Sequence, residues 1–340
     1  MIGRRRLLRL ASAGGALLVA PRIVFATAET ERRFVFIIQR GAADGLHIVP
    51  PYADPDYEKV RGAIAVDLAN ATKLDGSFAL HSALAETAKM YKAGEALFAH
   101  AVASPYRDRS HFDGQNVIET GGNAPYQVKD GWLNRLSTLL PRGRMPPIAF
   151  SPAMPMALRG RAEATSYSPS PNPDPTADLL ARVGNLYEHD TLLHTLWSAA
   201  MQTRGIAGNE GAGPDLAGVG RLAASFLARA DGPRLAMIET TGWDTHNQQE
   251  PRLARLLAGL DAMLAALRAG LGQAWAQTTV LIATEFGRTV AVNGTNGTDH
   301  GTATAAMLIG GAVNGGRVIA DWPGLSQAAL HEERDLKPTM

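Results

Sequence analysis

Phe34-Val35-Phe36-Ile37-Ile38-Gln39 decides the architecture. Aromatic and β-branched side chains fill the run, and a turn signal with flanking glycines, Gly41-Ala42-Ala43-Asp44-Gly45, follows directly behind it. Such a run reads as a buried strand. Five more of the same kind occur at Leu97 to Ala103, Pro147 to Ser151, Leu235 to Thr240, Thr278 to Thr284 and Ala305 to Ile309. Helical patterns lie between several of them. In the clearest, Leu253, Leu256, Leu257, Leu260, Met263, Leu264, Leu267 and Leu271 fall on one face at three-to-four spacing. Strands alternating with helices predict an α/β domain of three layers, a mostly parallel central sheet covered by helices on both sides.

In such sheets ligands sit beyond the carboxyl ends of the strands, and most of the chemically interesting residues here follow strands. Gly242-Trp243-Asp244-Thr245-His246-Asn247 sets a carboxylate and an imidazole two residues apart, able to turn toward one cation. The alternative is Asp244 as a helix cap and His246 as a surface residue. Gly297-Thr298-Asp299-His300-Gly301 offers a second Asp-His pair in a glycine-rich turn. Thr284-Glu285-Phe286-Gly287-Arg288 suits a metal ligand with an anion clamp, or else a local Glu-Arg pair. Asp44 follows the first strand as a site residue or an Asp-Gly turn. Within Tyr106 to Asn116, Ser110 reads as a helix cap or a nucleophile, and the company of His111, Asp113, Arg107 and Arg109 favours the site reading. These segments are expected to converge on one edge of one sheet. Their oxygen and nitrogen donors suit zinc or a hard divalent cation, one or two ions of Zn, Mn, Ca or Mg.

Residues 152–232 differ in texture. They hold the Pro- and Ser-rich Ser166 to Thr176, a helical pattern around Leu192 to Met201 and the Gly-rich Gly205 to Gly220. They are expected to form a cap or insertion over the sheet edge, with a linker as the alternative.

At the N-terminus, Arg4-Arg5-Arg6-Leu7-Leu8-Arg9, a short apolar run and Ala26-Thr27-Ala28 have the layout of a twin-arginine signal peptide over residues 1–28, with Gly3 where a Ser or Thr is usual. Export by the Tat translocase predicts a periplasmic or secreted protein without a stable membrane anchor, since Pro21 and Arg22 interrupt the apolar run. Removal of that segment takes five arginines and no acids, so the charge falls from +1 to −4. No general electrostatic pull toward nucleic acid remains. Partners are expected among small-molecule or glycan esters. There is no cysteine, which excludes disulfides and thiol chemistry.

The ordered motifs Ala-Asp-Gly-Leu-His at Ala43, Ser-His-Phe-Asp at Ser110, Gly-Trp-Asp-Thr-His at Gly242, Glu-Phe-Gly-Arg-Thr at Glu285 and Gly-Thr-Asp-His-Gly at Gly297 resemble the domain-of-unknown-function 1501 family from about Arg33 onward. That family resembles the alkaline phosphatase and sulfatase superfamily, which holds two divalent cations above a parallel sheet. The resemblance implies one such domain over residues 33–340 and hydrolysis of phosphate or sulfate esters. It implies Ser110 as nucleophile, Asp44, Asp244, His246 and His300 as metal ligands, and Arg288 or Arg109 holding the remaining oxygens. Glu285 stands where an Asp-His pair is usual, and Phe286 replaces the histidine. The second metal site is then weaker, empty, or completed by His111 or Asp299. The family usually continues into one further helix beyond Met340, so a truncated C-terminus is expected. A metal-stabilised binding protein, which needs no nucleophile, and a non-catalytic partner of exported surface proteins are the other readings.

Overall fold

The computed structural model describes residues 30–140, 145–168, 175–207 and 215–339. The signal peptide expected over residues 1–28 lies outside the described residues, as do Met340 and parts of the Pro-rich and Gly-rich stretches.

Eight strands form one sheet: β1 (Arg33–Gln39), β2 (Ala96–Val102), β3 (Ile148–Phe150), β4 (Thr165–Tyr167), β5 (Leu235–Thr240), β6 (Thr278–Ala283), β7 (Thr304–Ile309) and β8 (Arg317–Ile319). Their spatial order is β8-β2-β7-β6-β1-β5-β3-β4. The six runs read from the sequence are all strands, and the short edge strands β4 and β8 join them. β1 lies between β5 and β6 in parallel register, Phe34 opposite Leu235 and Arg33 opposite Thr278.

Successive side chains of β1 go to opposite faces. Val35 and Ile37 enter the larger core under α1 (Ala85–Lys92), α6 (Leu216–Leu227) and α7 (Gln249–Leu271), with Leu222, Phe226, Leu257 and Leu264. Phe36 and Ile38 enter a smaller core on the other face, with Leu133 of α3 (Trp132–Ser137), Leu158 and Met237. This is the expected three-layer α/β arrangement with a mostly parallel sheet. Full burial of Leu253, Leu257, Leu260, Met263, Leu264 and Leu267 confirms the leucine stripe of α7 as its core face.

β7 is the antiparallel exception, paired that way with both β2 and β6. Its direction follows from the chain path. The segment Thr284–Ala303 stays at the carboxyl edge where β6 ends, so β7 starts from that same edge. His300 is thereby kept beside the loops that follow the parallel strands.

Within residues 152–232 the helices differ in their packing. α4 (Ala177–Tyr187) and α5 (Thr191–Ala207) pair through Tyr187 and Trp197 and are largely exposed, whereas α6 buries Leu222, Ala223, Phe226 and Leu227 completely in the main core. Apolar residues on one face of α6 meet the leucine stripe of α7, a packing that composition alone does not reveal.

Candidate metal centre

Three connections meet at the carboxyl edge of the sheet, Glu285 and His300 both belonging to the one between β6 and β7. Asp244 and His246 follow β5, Glu285 follows β6, His300 precedes β7, and His111 is the first residue of α2 (His111–Thr120), beyond β2. Two glycines allow the loops to touch. A Cβ on Gly297 would lie 2.2 Å from the carbonyl carbon of His246, and one on Gly41, itself at φ +120°, would lie 2.6 Å from the Asp244 amide nitrogen.

Ligating atoms of His111, Asp244 and His300 lie within 4.8 Å of one another. His111 Nε2 is 3.0 Å from His300 Nε2, which is 3.2 Å from Asp244 Oδ1. His246 stands just outside this compact set but reaches two of its members, its Nε2 being 3.0 Å from Asp244 Oδ1 and 3.1 Å from His300 Nε2.

Each ring is fixed from behind. His111 Nδ1 lies 2.8 Å from Glu285 Oε1, His246 Nδ1 3.1 Å from Asp299 Oδ1, and His300 Nδ1 3.1 Å from the Arg109 carbonyl oxygen. An acceptor at Nδ1 puts the ring proton there and leaves Nε2 as a lone pair facing inward. Inward lone pairs at 3.0 Å repel unless a proton or a cation lies among them. Ligands about 2.0 to 2.1 Å from a tetrahedral zinc stand about 3.3 Å apart, so the spacing and the donor set fit a divalent cation.

The electrostatics point the same way. Burial works to raise the Asp244 carboxyl, but Arg288 beside it, with His246 and His300, outweighs this and holds it below the usual range. For Glu285, too, burial is outweighed, here by hydrogen bonds from His111 and Gln115 and by backbone amides including Gly41. The Glu285 hydrogen bond raises His111, while burial and the neighbouring His111 lower His300.

The structure thus brings together Asp244, His246, His300 and His111, and it places Glu285 and Asp299 behind the histidines. Other expected residues have different partners. Asp44 points its carboxylate away into the core, where Oδ2 accepts from Arg61 Nη2 and Gln249 Nε2 and Oδ1 caps the Leu46 amide. A buried guanidinium stands where the resemblance implies a cation. Arg288 holds Asp244 at 2.5 Å and the hydroxyl and carbonyl of Thr298, which takes three of its five N–H groups. Arg109 is bound to Asp335 and Glu332. Its contribution is the carbonyl that meets His300, presented from a left-handed backbone at φ 59°. Ser110 precedes α2 with its side chain making no capping bond. Phe286 stacks on His111 at 5.0 Å between ring centroids.

Sequence reasoning passed over Arg61, Gln115 and Gln249. Gln249 bonds Asp44, Thr245 and Thr298, and Gln115 bonds Glu285. The only signal for Gln115 was its place four residues after His111, on the same helix face. Arg61 lies in a stretch with no motif.

The family described as "Protein of unknown function (DUF1501)" matches residues 31–340. No curated protein matches the chain. Among solved structures, it is similar to the C-terminal periplasmic domain of EcEptC from Escherichia coli in complex with zinc, at 10% identity and a TM-score of 0.39, covering 84% of this chain and 74% of that one. It is also similar to the phosphonate monoester hydrolase of Agrobacterium radiobacter, at 13% identity and a TM-score of 0.33, covering 85% and 70%.

Proposed function

The chain belongs to the DUF1501 family, and we propose that it is an exported, metal-dependent hydrolase of phosphate or sulfate esters. One observation carries the reading. Three imidazole Nε2 atoms and one carboxylate gather at the carboxyl edge, and each imidazole is oriented by its own Nδ1 partner. Imidazole-rich donors favour zinc over calcium or magnesium. A cation there would neutralise the ester's developing charge and polarise its oxygens. The Arg61 guanidinium beside Asp44 favours one cation over two.

The chain's own residues supply position. Arg288 and His246 fix Asp244, Glu285 fixes His111, and the strained Arg109 carbonyl fixes His300. Ser110 is the nucleophile in this reading. Its hydroxyl is free of the capping bond that the structural alternative requires, and it adjoins His111 at the start of a ten-residue helix, where amides and the helix dipole favour an anion. In-line displacement at phosphorus or sulfur needs mainly such positioning and charge neutralisation.

Metal analysis and a screen of phosphate and sulfate esters on the protein secreted from a Tat-competent host test the reading. Bound zinc, turnover, loss of turnover in Ser110→Ala at unchanged zinc content, and an N-terminus near Glu29 are expected. Metal without turnover of any ester would replace the hydrolase with a metal-stabilised binding protein. Absence of metal would remove both.

A further inference from the structure

We propose that the turn His331–Asp335 belongs to the metal centre, with Asp335 and Glu332 as positioning residues that act through Arg109 to aim the His300 ring at the cation; this rests on the metal-dependent reading above. One short segment grips His300 at two points. Arg334 Nη2 donates to the His300 carbonyl oxygen at 2.9 Å. Arg109, whose own carbonyl oxygen meets His300 Nδ1 at 3.1 Å, is held in turn by Asp335 Oδ2, which accepts from its Nε at 3.1 Å and its Nη2 at 2.8 Å, and by Glu332 Oε2.

The turn itself is tight and strained. The Arg334 amide donates to the His331 carbonyl at 3.2 Å, and His331 and Asp335 exchange main-chain bonds at 2.9 Å. Between them Glu332 and Glu333 stand at φ 53° and 54°. A two-residue turn with both central residues left-handed is adopted most readily by Asn and Gly, and other residues keep such a backbone only where their surroundings over-determine it. Those surroundings are the loops of the centre. The Val290 amide donates to the Arg334 carbonyl, the Ala303 amide donates to the Leu336 carbonyl, and Leu336 is fully buried with Leu46, Val290 and Ala303.

Asp335 makes the link specific to the two facing histidines. It is fully buried, and its Oδ2 also accepts from Thr302 Oγ1 at 2.8 Å. One carboxylate oxygen therefore ties the residue two before His111 to the residue two after His300, the rings whose Nε2 atoms lie 3.0 Å apart. A charge-assisted bond of this kind fixes geometry far better than an exposed pair. A carbonyl behind a ligating imidazole sets both its tautomer and its direction. Arg109 presents that carbonyl from a left-handed backbone at φ 59°, so loss of the carboxylate grip lets the backbone relax and turns the carbonyl away from Nδ1.

The test compares wild type with Arg109→Ala, Asp335→Asn, Glu332→Gln and the double variant Arg109→Ala/Asp335→Asn. Arg109→Ala keeps the carbonyl and removes only what the turn holds. Competition titration should find zinc bound on the order of tenfold more weakly by Arg109→Ala and by Asp335→Asn, at unchanged stoichiometry. The double variant should be no weaker than the worse single one, because both changes break the same link. Glu332→Gln should show a smaller loss, since Asp335 still holds the guanidinium. Cobalt(II) in place of zinc should shift its visible absorption in Arg109→Ala. In the metal-free protein, nitrogen NMR should find the His300 proton on Nδ1 in wild type and shared between the two ring nitrogens in the variants. A merely structural turn would lower melting while leaving zinc affinity, the cobalt spectrum and the His300 tautomer of the folded protein as in wild type, and that result would overturn the proposal. If Asp335→Asn does not fold, Arg109→Ala and the exposed Glu332→Gln decide it by the same readouts. Wild type that binds no zinc overturns the metal reading and this proposal with it, whereas zinc held equally by wild type and all variants overturns this proposal alone.

Discussion

His111 Nε2 and His300 Nε2 face each other at 3.0 Å, although the Nδ1 atom of each ring already meets an acceptor, Glu285 for one and the Arg109 carbonyl for the other. Two acceptor nitrogens turned toward one another cost free energy that a shared cation removes. Zinc should therefore stabilise the folded chain by about 2.7 kcal/mol at a free concentration of 100 times Kd. His300→Ala should lose most of this gain, because His300 touches Asp244, His111 and His246 together. Thermal unfolding with zinc and with chelator checks this, and equal shifts in wild type and variant would count against the centre.

Glu285→Gln keeps the size of the side chain and removes its charge. Glu285 accepts from Gly41, Gln115 and Thr284 while facing His111 Nδ1, so in the proposed centre it would make the His111 ring a stronger ligand from behind. Outer partners of this kind are worth about 10- to 100-fold in metal affinity. A competition titration with a fluorescent chelator should find zinc binding weaker by that factor at unchanged stoichiometry. Loss of the site altogether would make Glu285 a direct ligand.

The central sheet was legible because its strands are continuous apolar runs and α7 carries an uninterrupted leucine stripe, both local patterns. β4 and β8, Thr-Ser-Tyr and Arg-Val-Ile at the sheet's edges, lack the continuous apolar run that made the equally short β3 readable. At the site, the Asp-x-His and Asp-His spacings led to Asp244, His246 and His300, but spacing does not say which way a side chain turns. Asp44 shows the limit. It follows a strand as a ligand should, yet its carboxylate is taken by Arg61, a residue seventeen positions on that has no motif around it. Arg288 and Arg109 were recognisable as cations near the site, but only the fold shows that carboxylates have already claimed them.

Asp44 and Arg61 form a fully buried pair, and burial, which would raise the Asp44 carboxyl, is outweighed chiefly by Arg61. Asp44→Asn leaves that guanidinium without its counter-charge, which costs about 3 to 5 kcal/mol for a pair of this kind. Denaturant titration should show a loss of that size, while the folded fraction keeps the zinc content of the wild type. Zinc loss from still-folded Asp44→Asn would restore Asp44 to the ligand set.

His100 gives the chain an acid-sensitive core away from the metal centre. Its Nε2–H donates to the Val49 carbonyl at 3.0 Å and its Nδ1 accepts from the Ala101 amide at 2.8 Å, so only the neutral ring satisfies both. Burial pushes its pKa down to about 4, against the pull of Asp44 and of the carbonyls it meets. Burial likewise lowers His47, to about 3. In the unfolded chain these rings take up protons below about pH 6.5, whereas in the fold they stay neutral until near pH 4 and pH 3. Protons therefore bind the unfolded state in excess, and stability falls as pH drops through that window, with His100 alone contributing on the order of 3 kcal/mol. Denaturant unfolding between pH 7 and pH 4 in chelator, which removes any metal-linked loss, should show this decline. His100→Gln, neutral at every pH, should be less stable at pH 7 but should decline less steeply, by roughly the His100 share. Parallel pH curves for the two proteins would mean that His100 is not the group that titrates.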